Sequence, residues 1–184
     1  MPNVVAAAQP LQASAQRHEV LWPLVEPALD EALEGLVEMR RREGDSLRAD
    51  FLARTHELSM VRHRIGELAD DLPRSAQQKM EERIGRLVAA GGLDPQRLAV
   101  EVALLADRAD ISEELTRLGS HIAQLYELID HSEPVGRKLE FLLQELLREV
   151  NTIGSKAQHI EVARLILDAK SELEKLREQV QNVE

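Results

Sequence analysis

The chain has 184 residues, 43% of them hydrophobic and 30% charged, with no cysteine and a formal net charge of −10. This composition excludes a disordered chain, a disulfide framework, a thiolate zinc site and a cysteine nucleophile, and no apolar run reaches the ~20 residues that span a bilayer. Aromatic residues make up only 2%, which leaves Leu, Ala, Ile and Val to build the core, a composition that suits helices better than strands.

The N-terminal stretch M-P-N-V-V-A-A-A-Q-P has no basic residue before its apolar run, so it does not read as a signal peptide. The expectation is a soluble, cytoplasmic protein. The acidic balance argues against a broad basic nucleic-acid face. It leaves room for a local basic strip, and for carboxylates holding a divalent ion that meets phosphate.

Residues 1–18 lack periodicity and read as a disordered or extended arm. From Val20 to Val37, apolar residues recur at steps of three and four, the pattern of an amphipathic helix. Pro23 and Pro27 are awkward in its interior, so the regular helix is expected to start at one of them. Gly44 is either a break or a tolerated glycine within a long helix. The stripe resumes with Leu47, Phe51, Leu52, Leu58, Val61, Ile65 and Leu68, and the D-D-L-P sequence at 70–73 ends it. A further helix over about 74–90 stops at Gly91-Gly92.

Asp94-Pro95 opens the next helix, running to about Ala109, with Asp as cap and Pro in the first turn. Asp110, with Glu113 three residues on, starts another that runs to about Asp130. A turn at 132–136 leads into the segment Pro134–Lys156, the densest mixture of apolar, charged and amide residues in the chain. The last helix, about 155–180, interleaves charges with an apolar stripe, as an exposed helix or a coiled-coil partner does. The fold class is therefore all-α with antiparallel packing: an arm (1–18), a long helical hairpin (19–92) and a compact C-terminal helical cluster (93–184).

Two helix faces carry candidate chemistry. On the central helix, Leu139, Leu142, Leu143, Leu146, Val150 and Ile153 form the core stripe, while Arg137, Phe141, Gln144, Arg148, Asn151 and Ser155 share another face, with Glu145 and Glu149 beside it. Such a face can bind phosphates through guanidinium groups, or place a metal through carboxylates. It can equally be a solvated face tied by weak ion pairs. On the preceding helix, Asp110, Glu114, Arg117 and His121 share a face, and a carboxylate with a histidine can bind metal or move protons. The intervening turn lays the two helices antiparallel, so that Arg117 or His121 can face Arg148, Gln144 or Glu145. The G-S-K sequence at 154–156 lacks the spacing of a phosphate-binding loop and reads as a flexible joint presenting Lys156. The basic clusters M-R-R-R (39–42) and V-R-H-R (61–64) can touch a nucleic-acid backbone or simply be solvated.

Four strings in order carry a resemblance: A-D-R-A-D-I-S-E-E-L-T-R-L-G-S-H-I (106–122), E-P-V-G-R-K-L-E-F-L-L-Q-E (133–145), R-E-V-N-T-I-G-S-K-A (148–157) and S-E-L-E-K-L-R-E-Q-V-Q-N-V-E (171–184). They resemble the C-terminal half of the YicC/YloC family of bacterial proteins, over about residues 22–184. The resemblance implies a divalent-metal-dependent endoribonuclease linked to small-RNA turnover, with manganese or magnesium as cofactor, RNA as partner, and a homo-oligomer, a hexamer, as its assembly. Family members normally begin with an N-terminal domain that this chain largely lacks, so a fragment, a shortened variant or a late start is expected. The family pattern Q-E-M-N-R-E is here Q-E-L-L-R-E, with Leu147 where Asn is expected, and Gln158-His159 replaces a polar pair such as Asn-Asp.

On that resemblance, the metal-ligand candidates are Asp110, Glu114, Glu145 and Glu149, and the catalytic candidates are His121, Glu145 and Glu149. Arg117, Arg137, Lys138, Gln144, Arg148, Asn151 and Lys156 are the RNA-contact candidates. A rival reading is a non-catalytic oligomerisation and RNA-clamp module. A third is an adaptor that delivers RNA to other nucleases.

Overall fold

The computed structural model describes residues 9–88, 100, 103–104, 107–131, 134–181 and 183, with residues 9–20, 83 and 86–88 described by backbone alone. Among the described residues the chain is all-α, with helices α1 (Gln9–Ala69), α2 (Leu72–Val88), α3 (Ser112–Ile129), α4 (Gly136–Lys156) and α5 (Ile160–Val180) and no strand. It forms two compact units, residues 1–47 and 48–184, and α1 contributes to both. The boundary expected at Gly91-Gly92 and most of the helix expected over 95–109 lie outside the described residues. No helix among the described residues is long and apolar enough to cross a membrane.

In the first unit, α1 begins at Gln9, inside the stretch expected as an arm, and it runs through Pro23, Pro27 and Gly44. Each proline removes one helix hydrogen bond. Because they stand four residues apart, both gaps fall on one side of the helix. The surrounding Leu, Ala, Glu and Arg residues are good helix formers and sustain it. The apolar row Leu21, Leu24, Val25, Leu29, Leu33, Leu36 and Val37 is exposed along this helix.

The second unit is a bundle of the later part of α1 with α2, α3, α4 and α5. Phe51, Thr55, Leu58 and Ile65 form the buried stripe of α1. The buried Thr55 hydroxyl donates to the Phe51 carbonyl at 2.7 Å, so it is not left unpaired. Helix α3 packs along α4 and α4 along α5. All six residues expected as the core stripe of α4 are buried, facing Leu118, Ile122 and Leu125 of α3 and Leu165, Leu173 and Leu176 of α5 in one apolar interior. Late α4 pairs with early α3 through Lys156 and Glu114, which makes those two helices antiparallel. Arg48 reaches Asp130 just past the end of α3, while Arg62 Nε donates to the Leu115 carbonyl near its start, so α1 also runs antiparallel to α3. Gly119 permits this: a Cβ there would stand 2.7 Å from the Arg62 guanidinium carbon.

The joint after α4 differs from expectation. Gly154, Ser155 and Lys156 form the last turn of α4, and the chain turns at Ala157 and His159, both in extended conformations. Gly154 acts in packing, because a Cβ there would lie 3.2 Å from Ile166 Cγ2 of α5.

A strut of four charged side chains ties α1 to α5. Arg54 donates to Asp50 at 2.8 Å and to Glu172 at 3.1 Å, and Lys175 donates to Glu172 at 2.6 Å. Burial, the largest influence, pushes the Glu172 carboxyl up, but the bonds from Lys175 and Arg54 together outweigh it and hold the carboxyl below its ordinary range. A depressed carboxyl contributes stability above its unfolded pKa and loses it as pH falls through the folded value. Glu172→Gln is therefore expected to destabilise the protein by roughly 0.5–1 kcal/mol at neutral pH. In urea melts the difference from wild type should close as pH drops below about 4.

Candidate metal centre on the α3–α4 seam

Helix α3 carries His121 and Arg117 one turn apart, and α4 carries Glu145 and Glu149 one turn apart. The antiparallel pairing of the helices sets these two turns opposite each other. One imidazole nitrogen of His121 and one carboxylate oxygen from each of Glu145 and Glu149 lie within 4.8 Å of one another. Glu149 is only 4% exposed, while His121 and Glu145 are half-buried. Arg117 Nη1 stands 3.9 Å from Glu149, and its Nη2 donates to Glu113, one turn earlier on α3. Arg148 Nη1 lies 3.6 Å from Glu145 at the solvent side.

The donor set fits a divalent cation on two counts. The Nδ1 of His121 is buried and has no hydrogen-bond partner, and a buried polar atom of that kind calls for one. Two carboxylate oxygens with one imidazole nitrogen also form a mixed set that suits manganese, or magnesium with water completing its shell. Glu149 meets a guanidinium only at 3.9 Å, beyond hydrogen-bond reach, so the buried charge retains capacity for a stronger partner.

Of the candidates read from the sequence, His121, Glu145, Glu149 and Arg117 come together here, with Arg148 at the rim. Asp110 and Glu114 do not join them. Asp110 accepts from the Ser112 hydroxyl at 2.5 Å and the Ser112 amide at 2.9 Å, and those bonds hold its carboxyl below the ordinary range. Glu114 is buried and accepts an ion pair from Lys156 Nζ at 2.8 Å, which raises the lysine above its usual value. Lys156 also donates to the Asp110 carbonyl at 3.1 Å. Gln144, Arg148 and Asn151 lie exposed along the outer row of α4, while Arg137 and Lys138 are exposed in its first turn. Leu147, where the resemblance led to an Asn, lines a groove with Gln144 and with Leu173, Glu174 and Arg177 of α5, away from the trio. The sequence reading gave Glu113 a place in a cap with Asp110; in the structure it pairs instead with Arg117, which it steers. Its signal was the Glu-to-Arg spacing of four on one helix face.

Comparison with known proteins places these residues in a wider set. A family model described as "Endoribonuclease YicC-like, C-terminal" matches residues 65–184, and one described as "Endoribonuclease YicC-like, N-terminal region" matches residues 1–49. A Clostridioides difficile (strain 630) protein named "Probable endoribonuclease YicC" is 39% identical over 175 residues, covering 95% of this chain and 60% of that protein. A Haemophilus influenzae (strain ATCC 51907 / DSM 11121 / KW20 / Rd) protein of the same name is 35% identical over 158 residues, covering 85% of this chain and 54% of that protein. The chain thus spans little more than half the length of these curated relatives.

Metal binding by the trio has a readout independent of activity. In thermal melts, manganese chloride at about a hundred times its dissociation constant should stabilise the wild-type chain by about 2.7 kcal/mol. Glu149→Gln and His121→Ala should lose that increment. Without metal, Glu149→Gln should be no less stable than wild type, because it relieves a buried charge that lacks a close partner.

Proposed function

The chain belongs to the YicC-like endoribonuclease family, and from that premise we propose that it cleaves RNA phosphodiester bonds with the help of a divalent cation held by His121, Glu145 and Glu149. The observation that carries this reading is the convergence of those three donors from two helices within 4.8 Å, one of them a histidine whose buried Nδ1 has no hydrogen-bond partner.

Hydrolysis of a phosphodiester needs a nucleophile, relief of charge on the phosphoryl oxygens and a proton for the leaving oxygen. When bound, a divalent ion supplies Lewis acidity and a water acidified toward neutral pH. The remaining work belongs to the side chains. Arg117 and Arg148 flank the trio, are exposed by half or more, and offer guanidinium forks to the phosphoryl oxygens as negative charge builds. Glu113 keeps Arg117 turned toward Glu149. The apolar seam beneath, with Leu118, Ile122, Leu146 and Val150, is almost dry and strengthens each of these interactions.

RNA is the partner in this reading, with Gln144 and Asn151 extending the contact along α4, while Lys156 is engaged by Glu114 and the Asp110 carbonyl. Assembly with further copies of the chain and a role in small-RNA turnover belong to the same proposal. The exposed apolar row of α1 supports the assembly. A second reading takes the chain as an RNA clamp whose cutting requires the rest of a longer protein, and the coverage of only 54–60% of its relatives supports it.

One assay separates the two. The 184-residue chain is incubated with structured RNA in manganese, in magnesium or in EDTA. Metal-dependent fragments that fall at least a hundredfold in Glu145→Gln and Glu149→Gln support the enzyme. Gel retardation without fragments supports the clamp. Cutting at the normal rate by both variants refutes the assignment of the site.

A further inference from the structure

Only two phenylalanines occur in the chain. Phe51 is 3% exposed in the core, whereas Phe141 is 65% exposed on α4. Its position is specific. It stands one turn before Glu145 and two turns before Glu149, on the outer row that also holds Arg137, Gln144 and Arg148. At a rise of ~1.5 Å per residue, Phe141 and Glu145 are ~6 Å apart along the helix, close to one sugar–phosphate repeat of an extended strand. Beside the ring is a concavity of about 500 Å³, bordered by Gln124, Glu127 and Leu128 of α3 and by Arg137, Lys138 and Leu142 of α4.

We propose that Phe141 is a stacking platform for an unpaired base of single-stranded RNA, one nucleotide away from the phosphate held at the His121–Glu145–Glu149 centre. The inference rests on the proposed RNA-cleaving role of that centre. An exposed ring next to cations combines the two elements from which single-strand sites are built, a π face and a charged track. Arg137 and Lys138 precede the ring by four and three residues and meet the backbone on one side, while Arg148 meets it on the other. The acidic wall also has a use. Glu127 accepts from exocyclic or ring N–H groups on a base edge, and the Gln124 amide both donates and accepts. A paired base within an A-form duplex has both faces covered by its neighbours and cannot reach the ring, so the platform selects loops, bulges and single strands. The step is purely one of binding and position, and Phe141 touches no reacting atom.

The test uses the intact chain in EDTA, where no cutting occurs, with a single-stranded RNA oligonucleotide carrying 2-aminopurine at one position at a time. Stacking should quench the fluorophore at one position in particular. Phe141→Ala should abolish that quench and weaken binding about tenfold. Phe141→Trp should restore both, and a fully paired duplex of the same sequence should show neither. Since Phe141 is exposed, the alanine variant should keep its melting temperature. If Phe141→Ala binds and quenches like wild type, the platform does not exist. If it instead lowers the sedimenting mass while RNA affinity is kept, the face is a contact between copies of the chain and the proposal fails. The parent reading fails separately: Phe141-dependent quenching by a protein that never cuts in manganese or magnesium would sink the cleavage reading and leave the platform standing. A chain that binds no RNA sinks both.

Discussion

A carboxylate removed from water among leucines raises the free energy of the fold unless positive charge meets it. That constraint governs the seam between α3 and α4, which buries two of them, Glu114 and Glu149, to about 5% exposure. They meet it differently. Glu114 has a lysine in direct contact at 2.8 Å, tying the end of α4 to the start of α3. Glu149 has a guanidinium at 3.9 Å, with a histidine and a second glutamate beside it. The first is an ion pair through Oε1, with the buried Oε2 left without a hydrogen-bond partner. The second is a concentration of negative charge held in place by the apolar seam and open to a cation from outside. The contrast along one seam separates architecture from chemistry more sharply than any of the residues taken alone.

Much of this was legible in the sequence because helices report their faces through spacing. The core stripe from Leu139 to Ile153, the stop before Leu72 and the antiparallel pairing of α3 with α4 all follow from the three-and-four rhythm and the turn residues. The same rhythm put His121 in reach of Glu145. What spacing could not supply was the partner of each charge across a helix pair. Helical spacing put Asp110, Glu114 and His121 on one face, yet α3 starts only at Ser112, which holds Asp110 ahead of the helix, Lys156 pairs with Glu114, and only His121 reaches the glutamates. Local rules also failed where packing decides. Gly154 read as a joint by composition, but it sits inside a helix because Ile166 needs the space of its missing Cβ. Pro23 and Pro27 read as a start, but α1 extends past both, to Gln9.

The second unit places its polar groups with a division of labour. Beside the buried stripe of Phe51, Leu58 and Ile65, the polar contacts of α1 with the rest of that unit run through Arg48, Arg54 and Arg62, long cations that reach across while their stems cover apolar surface. The α3–α4 face has its own arginines, Arg117 beside Glu149 and Arg148 beside Glu145. Arg62 donates to a main-chain carbonyl. Arg117 is held by a glutamate that leaves it half exposed. An acidic chain can in this way present a local positive rim at the one place where its carboxylates are most crowded, without a basic surface overall.

All members of the trio come from two antiparallel helices that follow each other in the sequence, α3 and α4. Loop-closure entropy is small for such a pairing, and contacts of low sequence separation form early in folding. The centre is thus inherited by a contiguous stretch of chain. Insertions or exchanges elsewhere leave the pair of helices as a unit, whereas a change in the length of chain between them would shift Glu145 and Glu149 together against His121.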